Sequence, residues 1–139
     1  MANVPPLAAV AERDARAFVD LYYQTADTDP ASLHRFYTDT SLIVANGHGY
    51  QGFAQYYTQA LQPLATSSHE VQGFDAQPLA AWNAPLPASA PCNVLVQVSG
   101  VVQYGSTVES RPFTHSFLLT PNPTTPGTLY ISNASFRLV

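Results

Sequence analysis

The sequence predicts an α+β fold in which three helices cover the concave face of one strongly curved antiparallel sheet. Helical apolar stripes are confined to the first half of the chain. The run LHRFYTDTSLIVANGHGYQG, Leu33 to Gly52, sets a short helix, an apolar strand and a glycine-rich turn in immediate succession. Long strand patterns joined by turn-type loops fill the second half, and sequential strands of that length favour a single curved sheet.

Residues 1–6 read as a flexible leader and residues 7–139 as one domain. From Leu7 to Thr25 the apolar positions Ala11, Ala15, Phe18, Val19 and Tyr22 recur on one helical face, with Glu12, Arg13, Arg16 and Asp20 largely off it. Asp29 is placed to cap the next helix, with Pro30 at its first position and an end near Thr38. Ser41–Ala45 is an apolar strand, and Asn46-Gly47 is a strong hairpin signal that opens a turn region running to Gly52. Phe53, Tyr56, Tyr57, Ala60 and Leu61 form a second helical stripe, closed by Pro63.

The remaining strands are expected at Ser68–Leu79, Asn93–Tyr104, Pro112–Thr120 and Leu129–Leu138. Gly73 marks a bulge in the first of these and Gly100 a bend or bulge in the second. Pro78–Pro91 is a proline- and alanine-rich loop, long for a compact domain.

Charged residues make up 10% of the chain, well below the usual quarter. Lysine is absent, and with a formal net charge of −4 phosphate-driven binding to nucleic acid by this chain alone is disfavoured. So sparse a charge set points either to a surface covered by a partner or to an uncharged polar surface. Cys92 is the only cysteine, which excludes an intramolecular disulfide and a cysteine-based zinc site. No apolar run reaches the length of a membrane span. The first residues lack a basic segment, so no signal peptide is expected.

Several blocks, taken in order, carry a resemblance. They are FVDLYY (Phe18–Tyr23), LHRFY (Leu33–Tyr37), the strand ending in VANG (Val44–Gly47), FDAQPL (Phe74–Leu79), NVLVQVSGVVQY (Asn93–Tyr104), RPFTHSFLLTP (Arg111–Pro121) and SFRLV (Ser135–Val139). The ordered set resembles the nuclear transport factor 2-like superfamily, and within it the small-subunit branch of the general messenger RNA export receptor. The resemblance implies a cone-shaped domain without catalytic residues, cofactor or metal. It implies a heterodimer, sheet to sheet, with a similar domain of the large receptor subunit. It also implies contact with Phe-Gly nucleoporins through the complex, RNA contact mainly through the partner, no membrane contact, and shuttling between nucleus, nuclear pore and cytoplasm.

The same resemblance assigns Arg137 to pairing with a partner's acid, a role suited to the guanidinium fork. Strict alternation puts Ser135, Asn133 and Ile131 on the face of Arg137, and Tyr130, Ala134, Phe136 and Leu138 on the other. His115 and Phe117 on the preceding strand, with Asp75 and Gln77 in FDAQPL, complete the expected partner-binding set.

Two other functions fit the same fold. A homodimeric import factor for a small GTPase would need a cavity with an acidic rim. A ketosteroid isomerase-like enzyme or binder would need a buried Asp or His facing an open cone. The candidates for such chemistry are His34, His48, His69, His115, Asp39 and Asp75, and no catalytic spacing motif joins any of them.

Overall fold

The computed structural model describes residues 6–64, 66–79, 92–106, 109–125 and 128–139, with side chains from residue 13 onward. The expected leader lies outside them except for Pro6, and the proline-rich loop lies outside them from residue 80 to residue 91.

Helix α1 runs Pro6–Thr28 and buries Ala15, Val19, Tyr22 and Tyr23, with Phe18 half-buried beside them. Its end is set by Pro30, which disfavours helical backbone in the residue before it. A 3-10 turn follows at Pro30–Phe36 and anchors itself through Leu33, which is 2% exposed. Asp29 stands at its N-cap but makes no side-chain cap to a backbone N–H; its carboxylate instead accepts from Ser32 Oγ at 2.5 Å.

Strand β1 is Tyr37–Ala45, four residues longer at its start than the apolar run predicted. The polar stretch Thr38-Asp39-Thr40 hides this extension from an apolar pattern, while Tyr37 already pairs with Ile131. The turn is confined to Asn46 and Gly47, both at positive φ (51° and 88°) as a tight hairpin requires. His48–Gln51, expected within the turn region, is strand β2, paired antiparallel with β1. Helix α2 is short, Phe53–Tyr56, and continues as a π-helical turn over Tyr57–Leu61. Strands β3 (Ser67–Leu79), β4 (Asn93–Tyr104), β5 (Arg111–Pro121) and β6 (Leu129–Leu138) fall within a residue of the expected bounds.

The six strands form one open sheet in the order β2-β1-β6-β5-β4-β3. The sheet is antiparallel except at its β1–β6 pair, which is parallel, so the all-antiparallel expectation is corrected there. The chain leaves β2 through α2 to the far edge of the sheet. The β3–β6 meander then returns strand by strand, and its last strand arrives beside β1 in the same direction. The inner face packs on α1 and holds Phe113, Phe117, Val96, Val98, Val102 and Ile131, each at most 2% exposed.

Three irregularities set which residues look inward. In β3 the register slips between Val71 and Gly73, so the expected bulge is present. Gly100 lies opposite it in unbroken register and is not itself a bulge. Its bare Cα admits the bulged strand: a Cβ there would sit 2.1 Å from the Glu70 carbonyl oxygen and 3.1 Å from the Phe113 ring. In β6, Asn133 pairs with Leu118 and Ile131 with Leu119, leaving Ser132 as an extra residue. In β1 the pairing jumps from Tyr37 to Leu42, and Ser41, 1% exposed, fills the gap by donating to the Ile131 carbonyl at 2.6 Å and accepting from the Thr38 N–H at 2.9 Å.

Gly100→Ala should lower stability by about 2–3 kcal/mol in urea denaturation, because backbone must move to admit the methyl. Gly73→Ala is the control. Its added Cβ meets only Ser99 Oγ, at 4.0 Å, and the change should stay within about 1 kcal/mol.

Candidate functional site

Two surfaces emerge from this sidedness. The first is the outer face of the sheet, opposite α1. Alternation and register place Val44, Ser135, Ser116, Gln97 and Asp75 in one row across β1, β6, β5, β4 and β3. Leu42, Asn133, Leu118, Leu95 and Gln77 form the next row. Arg137, Thr114, Ser99 and Gly73 form the row on the other side. Among the described residues no element of the chain covers these rows. Leu42 and Val44 are 52% and 44% exposed, high for aliphatic side chains. Arg137 is exposed and makes no salt bridge among the described residues.

Of the residues expected to bind a partner, Arg137, Ser135, Asn133, Asp75 and Gln77 share this outer face. Ile131 does not. The extra residue at Ser132 reverses the alternation, so Ile131 turns inward and is fully buried. The pattern carried a signal of this: the inward apolar residues Ile131 and Ala134 are three apart, where an unbroken strand allows only even spacings. His115 and Phe117 also face inward, 4% and 0% exposed, packed beneath α1. Their alternation with Phe113 had put them on an aromatic face, and that face is the core.

The second surface is a cavity of about 260 Å³ on the helix side of the sheet. It lies between the last turns of α1, the π-helical turn and the inner faces of β3–β6, and is lined by Tyr22, Tyr23, Ala26, Asp27, Tyr56, Tyr57, Ala60, Leu61, His69, Tyr104, His115 and Phe136 among others. The interior is therefore aromatic but not filled solid.

Asp27 anchors one wall. Its carboxylate accepts from His69 Nδ1 at 2.6 Å, from the His69 backbone N–H at 2.8 Å and from Ser67 Oγ at 2.8 Å. These bonds clamp the end of α1 to the start of β3 and occupy both carboxylate oxygens. The residues lie 42 positions apart, so no local pattern announces the pair. Deeper in, Tyr23 Oη bonds His115 Nδ1 at 2.8 Å and Tyr22 Oη bonds Tyr37 Oη at 2.6 Å. Burial raises the phenols of Tyr22, Tyr23, Tyr37 and Tyr56 above their ordinary range, so all stay protonated. Burial holds the His115 imidazole neutral, and neighbouring His69 pushes in the same direction.

The described lining contains one acid, Asp27, already engaged. It offers neither an acidic rim nor a free carboxylate for proton abstraction. His34 and His48 are exposed, away from the cavity. Asp39 is also exposed, and Asp75 is on the outer face.

The model of the nuclear transport factor 2 (NTF2) domain matches residues 14–138. The chain belongs to the nuclear transport factor 2 family. It is 31% identical to nuclear transport factor 2B of Arabidopsis thaliana over 89% of this chain and 90% of that one. It is 30% identical to NTF2-related export protein 2 of Bos taurus over 90% and 84%. Among solved structures, nuclear transport factor 2 of Cryptosporidium parvum superposes with a TM-score of 0.73 at 25% identity, covering all of both chains. The Mtr2–Mex67 M domain complex of C. albicans matches with a TM-score of 0.68 at 11% identity over 94% and 96%, a likeness of fold. Similarity to the transport factors and to the export proteins is thus equal in depth.

Two outcomes test the interior. Asp27→Ala should cost about 2–4 kcal/mol in urea denaturation, because it strips the His69 and Ser67 donors of their shared acceptor. The pH dependence of stability follows from His115. Its folded form titrates below the ordinary 6.5, so as pH falls below 6.5 the unfolded chain takes up the proton first. Stability from this group is complete above pH 6.5 and is lost below it, by up to about 1.4 kcal/mol per pH unit. His115→Gln should flatten that part of the slope in denaturation series from pH 5 to about 7.5.

Proposed function

We propose that this chain is a non-catalytic small subunit of a messenger RNA export receptor, paired sheet to sheet with the nuclear transport factor 2-like domain of the large subunit. The observation that carries the reading is the outer sheet face, with its exposed Leu42 and Val44, with Leu118 and Leu95 in the row of Leu42, and with Arg137 as the cation in the row on the other side of Val44. Five strands at ~4.8 Å spacing and ten residues at ~3.3 Å present roughly 800 Å². That is about the area each partner gives to a stable protein interface. Arg137 would meet a carboxylate on the partner, and a guanidinium desolvated there would bind it in a fork.

In this role the complex would carry messenger ribonucleoprotein through nuclear pores by weak contacts with Phe-Gly repeats. RNA would be held mainly by the larger partner, and the chain would shuttle between nucleus and cytoplasm. The low charge of the chain supports a protein rather than a nucleic acid as its direct partner. A second copy of the chain is the competing occupant of the same face, favoured by the equal similarity to the transport factors. The import reading through a small GTPase is less well supported, since the described cavity lining carries no acid besides the clamped Asp27.

Co-expression with the large subunit's domain, followed by size-exclusion chromatography with light scattering, tests the reading. A one-to-one heterodimer is expected, and Arg137→Ala should weaken it at least tenfold while leaving the melting temperature of the isolated chain unchanged. A stable dimer of this chain that ignores the large subunit would replace the export reading with the homodimer. A monomer that binds neither partner would remove both.

A further inference from the structure

The two edges of the sheet are protected to different degrees. Strand β2 is four residues long, and its Gln51 N–H is taken by Gln55 Oε1 at 2.8 Å. Strand β3, at the other edge, has thirteen residues and pairs only with β4. An edge strand presents a row of unpaired N–H and C=O groups on its outward side.

Two residues show which groups of β3 point outward. The His69 N–H bonds Asp27 Oδ2 at 2.8 Å, so the His69 backbone points off the edge. Pro78 has no N–H and stands in register opposite Val94, where only an outward position spares the ladder a missing bond. The extra residue at Gln72 shifts the alternation from odd-numbered to even-numbered residues between them. On β4 the two agree: His69, Phe74, Ala76 and Pro78 stand opposite Val102, Val98, Val96 and Val94, all of one alternation. Phe74 and Ala76 therefore each send an N–H and a C=O off the edge, and Pro78 sends a C=O alone. None of these groups has a partner among the described residues. Asp27 closes the edge before the bulge and leaves it open after it.

The side chains of Phe74 and Ala76 are half-buried on the inner face, with the Arg16 guanidinium 5.2 Å above the Phe74 ring. Asp75 and Gln77 are exposed on the outer face, and Asp75 makes no ion pair among the described residues.

We propose that the edge from Phe74 to Pro78 takes an extended segment of a partner protein as a further antiparallel strand, with small aliphatic residues beside Phe74 and Ala76 and a lysine or arginine opposite Asp75. Antiparallel pairing lets one residue exchange both bonds with Phe74 and another exchange both with Ala76. Main-chain bonds supply the affinity of such strand addition and alternate side chains its specificity. The basic residue follows from the unpaired Asp75 carboxylate and the formal net charge of −4. A second copy of the chain is the poorer occupant. Pairing the same edges about Ala76 sets each Pro78 against the other Phe74, so an N–H is missing at both ends, and no cation meets Asp75. The proposal does not rest on the export reading, because it uses the backbone of the edge and not the outer face.

The fluorescein-labelled, C-terminally amidated peptide Thr-Val-Thr-Val-Lys-Val-Thr tests it on the full chain by fluorescence anisotropy and two-dimensional NMR. Its lysine falls opposite Asp75 and the valines on either side of the lysine opposite Ala76 and Phe74. A Kd on the order of 100 μM is expected, with amide shifts gathered at Phe74–Leu79. N-methylation of the central valine removes the N–H that meets the Ala76 C=O and should abolish binding. N-methylation of the lysine, whose N–H points away, should change the Kd by less than about twofold. Glutamate in place of lysine should weaken binding about fivefold, and Asp75→Lys should restore it. Ala76→Pro removes an edge N–H outside the ladder and should weaken the lysine peptide about tenfold. The proposal is overturned if the peptide shows no saturable binding up to about 1 mM, if shifts fall at Ser135 and Asn133, or if the two N-methylated peptides bind alike. Self-association of the chain that Ala76→Pro abolishes also overturns it, the edge then belonging to a second copy. Should Ala76→Pro lose its folded spectrum, the two N-methylated peptides on the unaltered chain decide.

Discussion

Helix α1 is held to the sheet by aromatic contacts that also have to satisfy buried polar groups. Phe18 and Tyr22 meet Phe117 edge-on, with ring centroids 5.0 Å and 4.9 Å apart. A buried tyrosine hydroxyl left without a partner costs about 1–3 kcal/mol, and on α1 two are matched. Tyr22 finds Tyr37 on β1 and Tyr23 finds His115 on β5. The two bonds pin α1 to strands on opposite sides of β6, and Asp27 adds a third fixed point on β3 through His69 and Ser67. Once α1 is seated in this way, one face of the sheet is interior and the other is left to solvent or to a partner.

The bulges translate that seating into sidedness for individual residues. Without the extra residue at Ser132, Ile131 would share a face with Arg137, and an aliphatic side chain now buried in the core would lie outside. With it, Ile131, Ala134, Phe136 and Leu138 all turn toward the helix, while Asn133, Ser135 and Arg137 turn away. The bulge in β3 has a related effect at the far edge, where Gly100 makes room for the Glu70 carbonyl. The outer face that results is broad and nearly uncharged, which is the character of a surface that pairs with protein. The short α2 packs Phe53 and Tyr56 against Tyr37 of β1, and the open space lies between the π-helical turn and the last turns of α1.

The two surfaces carry different kinds of function. The outer face has area, exposed aliphatic side chains and one cation, Arg137, the features on which the proposed pairing rests. The cavity has aromatic walls and one acid, Asp27, that is already engaged. The sheet separates them, so occupation of one leaves the other free.

The sequence by itself determined the helical stripe of α1, the Asn46-Gly47 hairpin, the strands β3–β6 nearly to the residue, and the placing of Arg137, Ser135, Asn133, Asp75 and Gln77 on strands. Each of these is written in local periodicity or in the φ demands of a turn, which neighbouring residues alone can specify. Only the tertiary structure decided that β6 runs parallel to β1, that Ile131, His115 and Phe117 are interior, and that Asp27 meets His69 across 42 residues. Those outcomes come from strand order, from a one-residue slip opposite Leu118 and from the place where α1 lands. They are set by contacts distant in sequence, where the energy of packing, not the local pattern, selects the face and the partner.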